Sequence, residues 1–179
     1  MTELGKLYGG ALYELAEEQS LTAELLEQTA VLDGVFSDSP DFIKLLCTPS
    51  LKKEDRTAIV EESFGGKIEP ILLNFLKVLT EKGLMREFPH CVKEYRGRYN
   101  EAHNIEEVTA ITAVPLSEAL CGKLSERLRS VTGKDILLHN RVEPSVMGGI
   151  RIEMAGRQID GTVRSKLEGI RSSLLEIIA

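Results

Sequence analysis

Apolar residues recur at three- and four-residue spacing along the front of the chain and at two-residue spacing further on, so two kinds of element are predicted. Leu4, Leu7, Tyr8, Ala11, Leu12, Leu15 and Ala16 form one long stripe on a helix. A second helix carries Leu25, Thr29, Leu32 and Phe36 on one face. Ser39-Pro40-Asp41 reads as a helix start: a capping hydroxyl, a proline at the first helical position and an acid at the positive end of the dipole. Phe42, Leu45 and Leu46 are its apolar face, and Thr48-Pro49 ends it. Lys52 to Phe64 is a further helix, stopped by Gly65-Gly66. Pro70 then opens a helix through Leu79 that is apolar on most sides, which places it at the centre of a bundle, and Gly83 closes it. A last long helix presents Phe88, Val92, Tyr95, Tyr99 and Ala102. Short connections suit antiparallel packing, so residues 1–105 predict a six-helix bundle.

After Asn104 the period changes. Val108, Ala110, Thr112 and Val114 alternate with Thr109, Ile111 and Ala113, a strand pattern. Ser117 is expected to cap a helix with Leu120, Leu124, Leu128 and Val131, stopped by Gly133. Ile136, Leu138, Asn140 and Val142 predict a second strand, and Ile150, Ile152 and Met154 a third. Gly156-Arg157 reads as a hairpin tip leading to a short strand around Gln158-Ile159. Asp160 is then expected to cap a terminal helix with Val163, Leu167, Ile170, Leu174 and Ile177. Residues 106–179 thus predict a small β-α-β-β-α domain, and the whole chain an α+β protein of two parts.

Charge sharpens that division. The 28 acids and 22 bases give a net charge of −6 over 179 residues. Residues 1–104 hold 18 acids and 12 bases, so the second part is neutral, and residues 1–43 alone hold nine acids against Lys6. Nucleic acid and anionic lipid both need clustered Lys and Arg, so neither is expected as a direct partner. Aromatics are 5% with no Trp, which also disfavours base-stacking platforms. Cys47, Cys91 and Cys121 have neither a C-x-x-C pair nor a metal spacing, and read as free, mostly buried thiols. No basic and apolar leader follows Met1, and no apolar run reaches the ~18 residues of a membrane span. A soluble cytosolic protein is expected.

Catalytic chemistry is not legible. Gly66-Lys67, Gly122-Lys123 and Gly133-Lys134 lack the rest of a phosphate loop, and His90, His103 and His139 sit in different elements. His90 and Cys91 are neighbours on a helix and diverge by about 100°, a poor geometry for a dyad. Glu17-Glu18, Glu61-Glu62 and Glu106-Glu107 read as solvated faces. Neither catalytic residue, cofactor nor metal site is expected. A small α+β unit with a Gly-Gly turn invites comparison with KH-type nucleic-acid modules, but a G-x-x-G loop between helices and a basic charge are both missing. A ligand-sensing domain is the other alternative, and nothing in the residues specifies a ligand.

The most specific run lies between Asn140 and Leu167, with Met147-Gly148-Gly149-Ile150-Arg151-Ile152 leading by a hairpin to Asp160-Gly161-Thr162-Val163-Arg164. The paired glycines at a strand entrance imply a bulge or a close backbone approach. This run resembles the C-terminal motif of the delta subunit of F-type ATP synthase, the bacterial counterpart of the mitochondrial oligomycin-sensitivity-conferring protein. Tyr8-Gly9-Gly10-Ala11-Leu12-Tyr13-Glu14-Leu15-Ala16 is similar to that family's start, and Glu81-Lys82-Gly83-Leu84 to its turn between the fifth and sixth helices. Gly9-Gly10 departs from the family, since helix formers are expected there.

The resemblance implies a non-catalytic stator subunit, one copy per complex, at the cytoplasmic face of a bacterial membrane. It would hold the F1 head, with its alpha and beta subunits, against the peripheral stalk of b subunits during proton-driven ATP synthesis. It further implies a groove between the first and fifth helices that receives the N-terminal helix of an alpha subunit. By position the groove residues are Tyr8 and Ala11 on one helix and Asn74 and Val78 on the other. For the b stalk the implied residues are Met147, Gly148, Gly149, Ile150, Val163 and Leu167. Each set has a competing reading: Tyr8, Ala11 and Val78 as bundle core, and the Gly-Gly turn with its apolar neighbours as the small domain's own packing.

Overall fold

The structure is a computed structural model and describes residues 2–48, 50–154, 156–165 and 167. The chain divides into two compact units, 1–99 and 100–179.

The first unit is helical: α1 (Glu3–Glu18), α2 (Thr22–Asp38), α3 (Pro40–Leu46), α4 (Lys53–Phe64), α5 (Pro70–Glu81), a 3-10 turn at Met85–Glu87, and α6 (Phe88–Ala102), whose last residues belong to the second unit. Its core is one cluster that includes Leu12, Leu25, Phe36, Leu46, Leu72, Leu76, Leu79, Phe88 and Tyr95. Phe36 stands at its centre, with ring centroids 5.1 Å from Phe88 and 5.8 Å from Phe64. The buried residues of α2 are Leu25, Thr29, Leu32 and Phe36, the face its spacing predicts. At the end of α5, Leu84 N–H donates to the Leu79 carbonyl and Gly83 N–H to that of Thr80, with Gly83 at φ 69°. These two bonds make a left-handed helix stop that glycine adopts without strain.

Several local expectations are corrected. The buried face of α1 is Gly5, Gly9, Gly10, Leu12, Tyr13 and Ala16, whereas Leu4, Leu7, Ala11 and Leu15 are exposed. Ser39 precedes Pro40 but makes no side-chain cap bond, and Ile43 rather than Leu45 packs on the core from α3. Cys91 takes a buried place on α6, while Ala102 is exposed.

The second unit contains β1 (Ile105–Thr112), α7 (Glu118–Thr132), β2 (Asp135–Val142), a 3-10 turn at Pro144–Val146, β3 (Ile150–Met154) and β4 (Arg157–Asp160). The strands form one sheet in the order β2-β1-β3-β4. Here β1 and β2 are parallel across the α7 crossover, with Val108 opposite Leu138. The other two pairings are antiparallel, with Thr112 opposite Ile150 and Ile152 opposite Ile159. The short return strand is therefore a full member of the sheet, which has four strands rather than three. Central β1 buries Val108, Ala110, Ile111 and Thr112, and so is covered on both faces, while Val114 lies beyond its end and is exposed. On α7 only Leu128 is buried; Leu120 and Val131 are exposed, and the Ser117 side chain makes no cap bond.

Helical backbone resumes at Val163, Arg164, Ser165 and Leu167. Its cap is Thr162, whose Oγ1 accepts the Ser165 N–H at 3.1 Å. Asp160 instead accepts the Thr162 N–H at 2.9 Å, holding the turn before the helix. The expected positions Ile170, Leu174 and Ile177 lie outside the described residues.

Candidate functional site: an apolar groove between two helices

The groove is a consequence of how α1 and α5 are anchored from behind. Thr2 caps α1 by accepting the Gly5 N–H at 3.1 Å, and its hydroxyl donates to the Glu87 carboxylate. A Cβ on Gly5 would stand 2.5 Å from His90 Cβ, and one on Gly9 would stand 2.4 Å from the Cys91 carbonyl oxygen. The departure at Gly9-Gly10 is thus explained by a neighbour within the chain: α1 lies against α6 at a distance only glycine allows. Gly10 leaves room for the Arg98 guanidinium, which bonds Glu14 at 2.9 Å and Glu94 at 3.1 Å. Burial, reinforced by the charge of Glu87, pushes the Cys91 thiol beneath this contact up to about 12. Such a thiol is protonated and inert at neutral pH. It is also the only fully buried cysteine; Cys47 and Cys121 are half-buried, so the expectation of mostly buried thiols is corrected.

Helix α5 is held by Leu72, Leu73, Leu76 and Leu79 in the core, and the residue before its first turn is tied to α2 by the Glu69 N–H donating to Gln28 Oε1 at 2.8 Å. With those sides fixed, each helix turns its remaining apolar face outward. Tyr8, Ala11, Leu12 and Leu15 from α1 meet Ile71, Asn74, Phe75 and Val78 from α5 around one cavity of about 320 Å³. All four groove positions named from the sequence line it. Tyr8 is half-buried and packs on the core, while Ala11, Asn74 and Val78 are exposed. The other four lining residues were not placed in the groove from sequence, although each lies one, three or four residues from a named one. Leu15 in the lining and Leu4 and Leu7 outside it are all exposed on α1, with Leu7 66% accessible. Such a continuous uncovered strip is uncommon on a helix that has found all its packing partners. Asn74 supplies the one amide of the lining, where the Tyr8 hydroxyl is the other polar group, and that amide has no hydrogen-bond partner among the described residues.

The residues named for the second unit separate into two groups. Gly149 sits at φ 80°, and a Cβ there would come within 2.6 Å of the Gly161 carbonyl oxygen. The Gly148 carbonyl accepts the Val163 N–H, and the Ile150 carbonyl accepts that of Gly161, both at 3.0 Å. Gly148, Gly149 and Ile150 therefore seat the turn that follows β4. Met147, Val163 and Leu167 are exposed, Met147 at 72%. Nearby, Glu143 takes hydrogen bonds from Ser145 and Arg151, which hold its carboxyl below the usual range.

No group of three His, Cys, Asp or Glu side chains able to hold a metal ion occurs among the described residues. Nor is any helix among them long and apolar enough to cross a membrane.

The chain is thus a helical unit with an open apolar groove followed by a small α/β unit. Its fold is found in a subunit of the mitochondrial ATP synthase hexamer of Toxoplasma gondii, with a TM-score of 0.76 over 97% of this chain and 98% of that one at 16% identity. The family described as ATP synthase delta (OSCP) subunit matches residues 4–174. ATP synthase subunit delta of Clostridioides difficile is 31% identical over 96% of both chains. That of a Geobacillus species is 32% identical over 96% of this chain and 97% of its own. The chain belongs to the ATP synthase delta (OSCP) subunit family, a structural and non-catalytic subunit of the complex.

Proposed function

We propose that this chain is the stator link of an F-type ATP synthase, with each unit gripping a different partner. The groove between α1 and α5 takes the N-terminal helix of an alpha subunit of the catalytic head. The second unit takes the end of the b stalk, with Met147, Val163 and Leu167 as its exposed apolar contacts. One copy joined in this way lets the head resist the torque of the central shaft while ATP is made, at the cytoplasmic face of the membrane.

The observation that carries the reading is the convergence of Tyr8, Ala11, Asn74 and Val78 on one uncovered apolar groove. An amphipathic helix laid in such a groove is held by a few apolar anchors along one face. The competing reading of Ala11 and Val78 as core does not suit their exposure. Calorimetric titration of the full chain with a synthetic peptide of the alpha N-terminal helix, from the same complex, tests it. The expected result is binding at one peptide per chain; no heat, together with no competition against the assembled head, refutes it.

A further inference from the structure

We infer that Asn74 is the register pin of this groove: its carboxamide pairs with one uncharged hydrogen-bonding side chain, Ser, Thr, Asn or Gln, on the buried face of the docked helix. The inference rests on the helix-docking reading above and specifies the partner's chemistry at one position.

The fold itself gives Asn74 no task. It lies in the middle of α5 between Leu73 and Phe75, is exposed, and makes no hydrogen bond among the described residues. Asparagine is also a poorer helix former than leucine, which stands at positions 72, 73 and 76 of the same helix. A leucine at this position would therefore make a better helix and a more apolar groove. While the groove is empty, water satisfies the amide. A docked helix removes that water, and an unpaired buried amide then weakens binding, whereas a paired one does not.

The seven other lining residues are Tyr8, Ala11, Leu12, Leu15, Ile71, Phe75 and Val78. Apart from the hydroxyl at the tip of Tyr8, they present aliphatic and aromatic surface, which is non-directional and tolerates a helix shifted by one turn. A single amide breaks that degeneracy, because only one register brings a matching polar group opposite it. Buried asparagines fix helix register in coiled coils by the same mechanism, at some cost in affinity. The occupant is thus an amphipathic helix whose apolar stripe is interrupted once, opposite Asn74, by a neutral polar side chain.

The test is a double-mutant cycle on the full chain, using Asn74→Ala and Asn74→Leu. The probe is the synthetic alpha N-terminal peptide and a panel in which each of its Ser, Thr, Asn and Gln residues is replaced singly by Ala. Because Asn74 is exposed and unbonded and both replacements are better helix formers, both protein variants are expected to fold with a thermal midpoint at or slightly above the parent's. Asn74→Ala should weaken the parent peptide about tenfold, equivalent to 1.4 kcal/mol. One replacement in the panel should do the same, and combining the two should cost no more than either alone. Asn74→Leu should bind that replaced peptide more tightly than wild type does. If the peptide binds wild type but Asn74→Ala changes affinity less than twofold, or every pair of effects multiplies, the pin is overturned and the docking reading stands. If the parent peptide does not bind at all, the docking reading falls and takes the pin with it.

Discussion

Replacing Gly9 by alanine probes the contact that turns α1 toward the groove. The new methyl would stand 2.4 Å from the Cys91 carbonyl oxygen, 2.9 Å from Glu94 Cβ and 3.0 Å from Cys91 Cα. Two of those three atoms are backbone, so α1 and α6 must separate by on the order of 1 Å to regain ordinary contact. Overpacking of this kind costs about 1–3 kcal/mol. Alanine's better helix propensity returns about 1 kcal/mol, which must be removed from the comparison. Gly34→Ala does this, because Gly34 lies within α2 with open space around it. Gly9→Ala should therefore be less stable than Gly34→Ala by about 1–3 kcal/mol, the overpacking cost alone. All four tyrosines lie in the first unit, so urea denaturation followed by tyrosine fluorescence reports on it specifically. A displaced α1 also moves one wall of the groove, so Gly9→Ala should weaken the alpha peptide while Gly34→Ala leaves it unchanged. If Gly9→Ala stabilises as much as Gly34→Ala, the close α1–α6 packing described above is wrong.

Three further outcomes are expected. The Cys91 thiol is raised from 9.0 to about 12 in the folded chain, so the unfolded chain loses this proton first as pH rises. The first unit should thus keep its full stability below pH 9 and lose part of it between about pH 9 and 12, and Cys91→Ala should remove the loss between pH 9 and 10 and leave that above pH 10, where burial has also raised the Tyr13 and Tyr95 hydroxyls. Gly149→Ala forces a Cβ at positive φ against the Gly161 carbonyl and should destabilise the second unit by about 1–3 kcal/mol, read as faster amide exchange in β3 and β4. Met147→Glu, at an exposed position, should weaken capture of the b stalk at least tenfold in a pull-down titration while leaving alpha-peptide affinity within twofold.

How much was legible from the residues depended on whether a pattern has one structural use or two. The face of α2 and the stop at Gly83 each admit one arrangement, and both appear where the spacing puts them. The stripe on α1 admits two, since apolar spacing marks surface that avoids water without saying which chain will cover it. Leu4, Leu7 and Leu15 belong to that stripe and face out, while Gly5 and Gly9, which carry no hydrophobic signal, are buried. Only the distance to α6 shows that those glycines are packing residues. Caps failed for a similar reason: Asp160 and Thr162 are both good capping residues two positions apart, and the backbone turn decided between them. The Gly148-Gly149 pair did signal a close approach, but the partner, the Gly161-Thr162 backbone, follows only from the β3–β4 hairpin that brings it there.

The central claim is that α1 and α5 form a docking groove and not the surface of a finished core. Val78 tests it most directly, because it lines the groove and is 40% accessible with no partner over it. Affinity of the full-length Val78→Asp variant for the alpha N-terminal peptide should fall more than tenfold, or beyond 1.4 kcal/mol, with the thermal midpoint unchanged. An unaltered affinity in a folded variant, or a variant that no longer folds, would contradict the account.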